Sequence, residues 1–115
     1  MPEPAPHLLL GDSLLTLFSS QNGDLWLSGE RGTACYHDHR WHTFTSTDDS
    51  TPAAALAFTE LPDGRIWCIT REQLWEYDGG SWSVLRSGFE GLKALLRTRD
   101  GGFWLASNSG LHRFF

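Results

Sequence analysis

The densest reactive cluster in the chain is His37-Asp38-His39-Arg40-Trp41-His42. Three imidazoles and a carboxylate within six residues are the donor types that hold zinc, nickel or copper, which makes His37, His39 and His42 the metal candidates. A turn at Asp38-His39 would send alternate residues to opposite sides, and no fourth ligand is evident, so the expectation is that no metal is bound. For nucleophilic catalysis, Ser28, Ser46 and Ser107 lie near loops, but no Gly-x-Ser-x-Gly elbow accompanies them. The paired carboxylates Asp48 and Asp49 fall in a connection, Thr45 to Pro52, and read as a solvated loop. The sequence therefore predicts no catalytic residues, no enzyme activity and no cofactor.

The elements that carry these residues repeat. Asn22-Gly23-Asp24-Leu25-Trp26, Asp63-Gly64-Arg65-Ile66-Trp67 and Asp100-Gly101-Gly102-Phe103-Trp104 share one pattern. Subtracting 41 from the second copy maps Gly64, Trp67, Tyr77 and Trp82 onto Gly23, Trp26, Tyr36 and Trp41, and adding 37 maps Gly64, Trp67, Leu74 and Tyr77 onto Gly101, Trp104, Leu111 and Phe114. A period near 40 residues signals a repeat architecture. Within each copy apolar residues alternate, which is the strand period rather than the helical one. The second copy predicts strands at about Ala54 to Glu60, Ile66 to Thr70, Leu74 to Asp78 and Ser81 to Leu85. The Asn-Gly and Asp-Gly pairs join the first two strands as tight hairpins, and Asp38-His39 and Asp78-Gly79-Gly80 join the last two. Phe89 to Leu96 is the nearest helical candidate and is too short and glycine-broken.

Four short strands and a recurrent tryptophan in each repeat of about 40 residues make an all-β chain of β-propeller blades, with repeats at about 14–45, 54–86 and 92–115 in a single unit. Trp26, Trp67 and Trp104, with Tyr36, Tyr77 and Phe114, are expected to pack between blades. Trp41 and Trp82 open the fourth strands at the rim, and Trp75 has Ala34 and His112 at its equivalent positions.

The run Leu61-Pro62-Asp63-Gly64-Arg65-Ile66-Trp67-Cys68-Ile69-Thr70 with Leu74-Trp75-Glu76-Tyr77-Asp78, and Arg99 to Ser107 with Gly110 to Phe114, resembles the two-component regulator propeller repeat of bacterial hybrid histidine kinases. The resemblance covers nearly the whole chain and implies a sensor-type propeller, a class generally periplasmic. Asn22 in place of Asp, and Ala34-Cys35 where a bulkier residue is usual, are its departures. No signal peptide is evident, so the chain as given reads as cytoplasmic.

The third copy stops at Phe115, one strand short. His7 to Leu10 is expected to supply that strand by pairing with Leu111 to Phe115 of a neighbouring subunit. Propellers close with four to eight blades, so three blades per chain predict self-association, as a dimer of six blades first and a trimer of nine second. Loops after the second strands carry the candidate ligand-binding residues Glu30, Arg31, Arg71, Glu72 and Asn108, because the copies agree in frame and differ there. Thr16, Ser19, Thr59, Lys93 and Arg97 would line a channel.

With net charge −5 and scattered arginines, nothing recruits nucleic acid, and no apolar run is long enough to span a bilayer. Two cysteines, Cys35 and Cys68, make no disulfide framework. The functional expectation is a non-enzymatic, self-assembling scaffold or ligand sensor, natural, excised or engineered; the alternative is a carbohydrate-binding oligomeric propeller, suggested by six tryptophans.

Overall fold

The computed structural model describes residues 14–45 and 51–114. Eleven strands and no helix occur among them. The chain divides into two compact units, Met1–Ala55 and Leu56–Phe115.

The first unit holds one antiparallel sheet in the order β1-β2-β3-β4: β1 Leu14–Ser19, β2 Leu25–Gly29, β3 Gly32–His37 and β4 Arg40–Thr45. The second unit holds two sheets. One is the meander β5 Ala57–Glu60, β6 Ile66–Ile69, β7 Leu74–Asp78 and β8 Ser81–Arg86. The other has the order β11-β10-β9, from β9 Ala94–Arg97, β10 Phe103–Ser107 and β11 Gly110–Phe114. The segment 89–96, the nearest helical candidate but too short and glycine-broken for one, is an irregular connection running into β9. His7 to Leu10, expected to complete the third sheet, lies outside the described residues.

The repeat is reproduced atom by atom at the first hairpin of each sheet. The side-chain oxygens of Asn22, Asp63 and Asp100 each accept the amide two residues on, at 3.1, 3.2 and 3.1 Å. Behind each stands a glycine at positive φ: Gly23 at 93°, Gly64 at 93° and Gly101 at 86°. Left-handed backbone is nearly free for glycine and costly for other residues, which is why these positions keep the same residue while their neighbours vary. Asn22 supplies the same carbonyl-type acceptor as an aspartate, so its departure from the pattern leaves the turn intact.

The second hairpins show the same turn built from different residues. Gly79 and Gly80 sit at φ 63° and 97°; their equivalents Asp38 and His39 sit at 53° and 63°. Two successive positive φ values match the twist of paired strands. Flanking these turns, Tyr36 meets Trp41 at 5.0 Å and 55° between ring planes, and Tyr77 meets Trp82 at 5.2 Å and 54°.

In the second unit the two sheets pack face to face. Leu61, Trp67, Ile69, Leu74, Leu92, Phe103 and Leu105 form one buried cluster, with Ala57, Phe89 and Leu95 against it. Period-2 alternation selects them: Trp67 and Ile69 point from one face of β6, Phe103 and Leu105 from the facing side of β10. Trp67 and Phe103 meet at 4.7 Å. The Trp67 indole NH donates to Glu76 Oε1 at 3.0 Å, so burial leaves its polar atom satisfied. The Arg97 guanidinium donates to the Glu60 carbonyl at 2.9 Å and ties the inner strands of the two sheets together.

In the first unit Trp26 is buried and stacks on Phe44 at 6.3 Å and 15°. Leu27 and Ala34 are buried on the opposite face, with Trp41 against them. Both cysteines are free and buried. Their thiols titrate high: burial first, then the Asp24 charge, pushes Cys35 up to about 12, and burial alone raises Cys68.

Candidate functional site

The loops between second and third strands were expected to carry ligand contacts, and in the second unit two of them reach one hollow. Arg71 follows β6 and Asn108 follows β10; with Lys93 they line a pocket of about 360 Å³ floored by Leu92 and flanked by Leu56 and Gly91. The pocket obeys the repeat, since Leu56 and Lys93 are equivalent positions, as are Arg71 and Asn108. One pair of positions, used twice in successive copies, makes its wall.

Main-chain hydrogen bonds hold this wall in place. The 89–93 connection donates from Leu92 N to the Arg71 carbonyl at 2.7 Å and from Phe89 N to the Glu72 carbonyl at 3.1 Å. Lys93 N donates to the Ala106 carbonyl at 2.8 Å, and Asn108 N to the Glu90 carbonyl at 2.8 Å. Gly91, at φ 65°, permits the close approach of Asn108: a Cβ there would stand 2.3 Å from the Asn108 Nδ2. The side chains of Arg71, Lys93 and Asn108 form no hydrogen bond or ion pair among the described residues.

Of the other loop candidates, Glu30 and Arg31 lie exposed between β2 and β3 in the first unit. Glu72 takes part through its main chain, and its carboxylate does not line the pocket. Lys93 had been assigned to a channel; Leu56, Gly91 and Leu92 were not singled out. Applying the repeat offset to Lys93 would have flagged Leu56.

The histidine cluster borders a second hollow, of about 430 Å³, lined among others by Asn22, Asp24, Tyr36, His37 and His39. His37 Nδ1 lies 2.7 Å from Asp24 Oδ1, and this hydrogen bond, with the Asp24 charge, raises the His37 pKa above its ordinary 6.5. His42 stands 6.1 Å from His37, ring to ring. His39 occupies the tight turn. No group of three or more His, Cys, Asp or Glu among the described residues could hold a metal ion.

Ser28 is fully engaged. Its hydroxyl meets Thr33 Oγ1 at 3.1 Å and donates to the Gly32 carbonyl at 3.2 Å; it accepts from Ala55 N at 2.9 Å. Ser107 makes a contact the sequence did not suggest, with its Oγ 3.1 Å from His112 Nε2 across the β10–β11 hairpin. The pair is incomplete as a nucleophile and base, because no carboxylate among the described residues orients the far ring nitrogen. Instead, the His112 ring packs edge-on to Phe89 at 5.3 Å. Ser46, Asp48 and Asp49 lie outside the described residues.

The tryptophans divide. Trp26 and Trp67 are buried and offer no free ring face. Trp104 is half-buried, with the Arg113 guanidinium 5.5 Å from its ring centre. Its face of the third sheet also carries Leu96, 61% exposed, and Leu111, 70% exposed.

No protein-family model and no curated protein sequence matches the chain. Among solved structures it is similar to the extracellular domain of a hybrid two-component system from B. thetaiotaomicron, with TM-score 0.72 and 18% identity over 89% of this chain and 15% of that one. It is similar to a catalytically inactive virginiamycin B lyase from Staphylococcus aureus, solved with quinupristin, with TM-score 0.66 and 18% identity over 90% and 41%. It is similar to YCF48 bound to D1 peptide, with TM-score 0.61 and 20% identity over 84% and 34%. The chain spans less than half of each. At these identities the likeness is one of fold: these are β-propeller blades, in agreement with the resemblance to the two-component regulator propeller repeat.

No helix among the described residues is long and apolar enough to cross a membrane.

Proposed function

We propose that this chain is a non-enzymatic propeller module, a scaffold or sensor element, that self-associates through the uncovered face of its third sheet. One observation supports the reading. Trp67, Ile69 and Leu74 on the second sheet are buried beneath Phe103, Leu105 and Leu92, whereas their equivalents one repeat later, Trp104, Ala106 and Leu111, stand half-buried or exposed. A face with the same pattern and, among the described residues, no sheet over it calls for another sheet of the same kind. The blade-packing roles proposed for Trp26, Trp67, Trp104, Tyr36, Tyr77 and Phe114 belong to this reading.

The partner is a second copy, giving six blades in a dimer, with nine in a trimer as the next closed arrangement. Pairing of His7 to Leu10 with the β11 edge of a neighbour belongs to the same proposal. Glu30, Arg31, Arg71, Glu72 and Asn108 are proposed as the loop positions open to ligand. Sedimentation of the chain at micromolar concentration tests the assembly: a discrete oligomer supports it, and a compact monomer rejects it.

A further inference from the structure

The pocket between the two sheets of the second unit is lined by two cationic residues, Arg71 and Lys93, neither of which is bonded to a group of opposite charge among the described residues. Arg71 and Lys93 come from different segments fixed by main-chain hydrogen bonds, the Arg71 carbonyl accepting from Leu92 N and Lys93 N donating to the Ala106 carbonyl of β10. Both side chains line the hollow, and among the described residues neither has an ion-pair partner. Glu72 and Glu90 neighbour the site in sequence, yet their carboxylates are not among its lining groups. An anion entering the hollow would meet both cationic side chains.

The remaining lining narrows the ligand further. The Asn108 carboxamide, seated against Gly91, offers a neutral donor whose approach depends on the missing Cβ. Leu92 is buried and forms an apolar floor, and Leu56 flanks it. A volume of about 360 Å³ admits a small molecule.

We infer that this pocket binds a small organic anion, with its carboxylate or phosphate head between Arg71 and Lys93 and its apolar body against Leu56 and Leu92. The guanidinium supplies a planar fork for two oxygens, the ammonium a point charge, and Asn108 a further donor. The site lies within one chain, so the inference stands apart from self-association.

Lys93 is the only lysine in the chain, which provides a direct probe. Reductive ¹³C-methylation keeps its charge and gives one lysine resonance, followed while the full chain is titrated with benzoate, phenyl phosphate, inorganic phosphate and benzyl alcohol. The expected result is a saturable shift with benzoate or phenyl phosphate, the tighter of the two naming the head group. Arg71→Gln should weaken that binding about tenfold or more, since a charge-assisted pair is lost. Arg99→Gln, an exposed residue in the turn between β9 and β10, should leave it unchanged. Calorimetry on unmodified Lys93→Gln should show the same loss as Arg71→Gln, at an unaltered melting temperature. No saturable shift with either organic anion would overturn the inference, as would equal binding by benzyl alcohol, equal binding by inorganic phosphate, or binding that survives both substitutions.

Discussion

The rings of Trp67 and Phe103 meet at 4.7 Å between centroids and 40° between planes, and this contact joins two successive repeats across a sheet-to-sheet seam. Trp104, one repeat after Trp67, is half-buried and has the Arg113 guanidinium over it. Position in the repeat is identical; what differs is whether a further sheet covers the ring.

That contrast separates two substitutions. Trp67→Ala removes a buried ring from the cluster and should destabilise the chain by about 3–5 kcal/mol. Trp104→Ala should cost the isolated chain about 1 kcal/mol or less, as a partly exposed contact does. Urea unfolding of both variants measures the difference, and equal losses would show that the two rings are not distinguished by burial.

The Asp38-His39 turn should accept glycine at a gain. His39 sits at φ 63°, where its equivalent is Gly80 at 97°. His39→Gly relieves a left-handed residue at the cost of a freer unfolded chain, for a net gain of about 0.5–1 kcal/mol. A melting temperature that falls instead would mean that the His39 side chain holds something the structure does not indicate.

His37 should titrate above 6.5. Its hydrogen bond to Asp24 and then the Asp24 charge favour the protonated ring. A histidine whose pKa is raised on folding lends stability that is fully present below 6.5 and is lost as pH climbs through the folded value. The ring-proton NMR midpoint gives the folded pKa, and Asp24→Asn should lower it. An unchanged midpoint in Asp24→Asn would remove Asp24 as the cause.

Cys35 and Cys68 should be slow toward thiol reagents in the native state. Only the thiolate reacts, and burial holds both thiols well above neutral pH, Cys35 at about 12. A disulfide reagent at pH 8 should label neither until denaturant is added. Rapid labelling of the folded chain would place a cysteine at the surface.

Much of this architecture is legible in residue order because turns and pleats are local. Gly23, Gly64 and Gly101 announce hairpins that only positive φ satisfies, and alternation in β6 separates the Trp67 face from the Cys68 face. What residue order hides is contact between distant segments. Nothing local to Arg71 reveals that Leu92 caps its carbonyl or that Lys93 shares its hollow, and the Ser107–His112 contact depends on how a hairpin twists. The histidine run illustrates the reverse case. Its residues are metal-ligand types, yet a turn at Asp38-His39 was expected to part them, and residue order could not show that Asp24, thirteen positions earlier, takes His37.

Sedimentation equilibrium of the native chain beside Leu111→Asp bears most directly on the uncovered third sheet. Leu111 is 70% exposed, so the substitution leaves each chain folded while charging the face proposed to pair. The account predicts a discrete multiple of the 12.9 kDa chain mass for the native protein, twice it in the favoured arrangement, and a shift to single chains in the variant. A native protein that sediments as a single folded chain, or an assembly indifferent to Leu111→Asp, would contradict it.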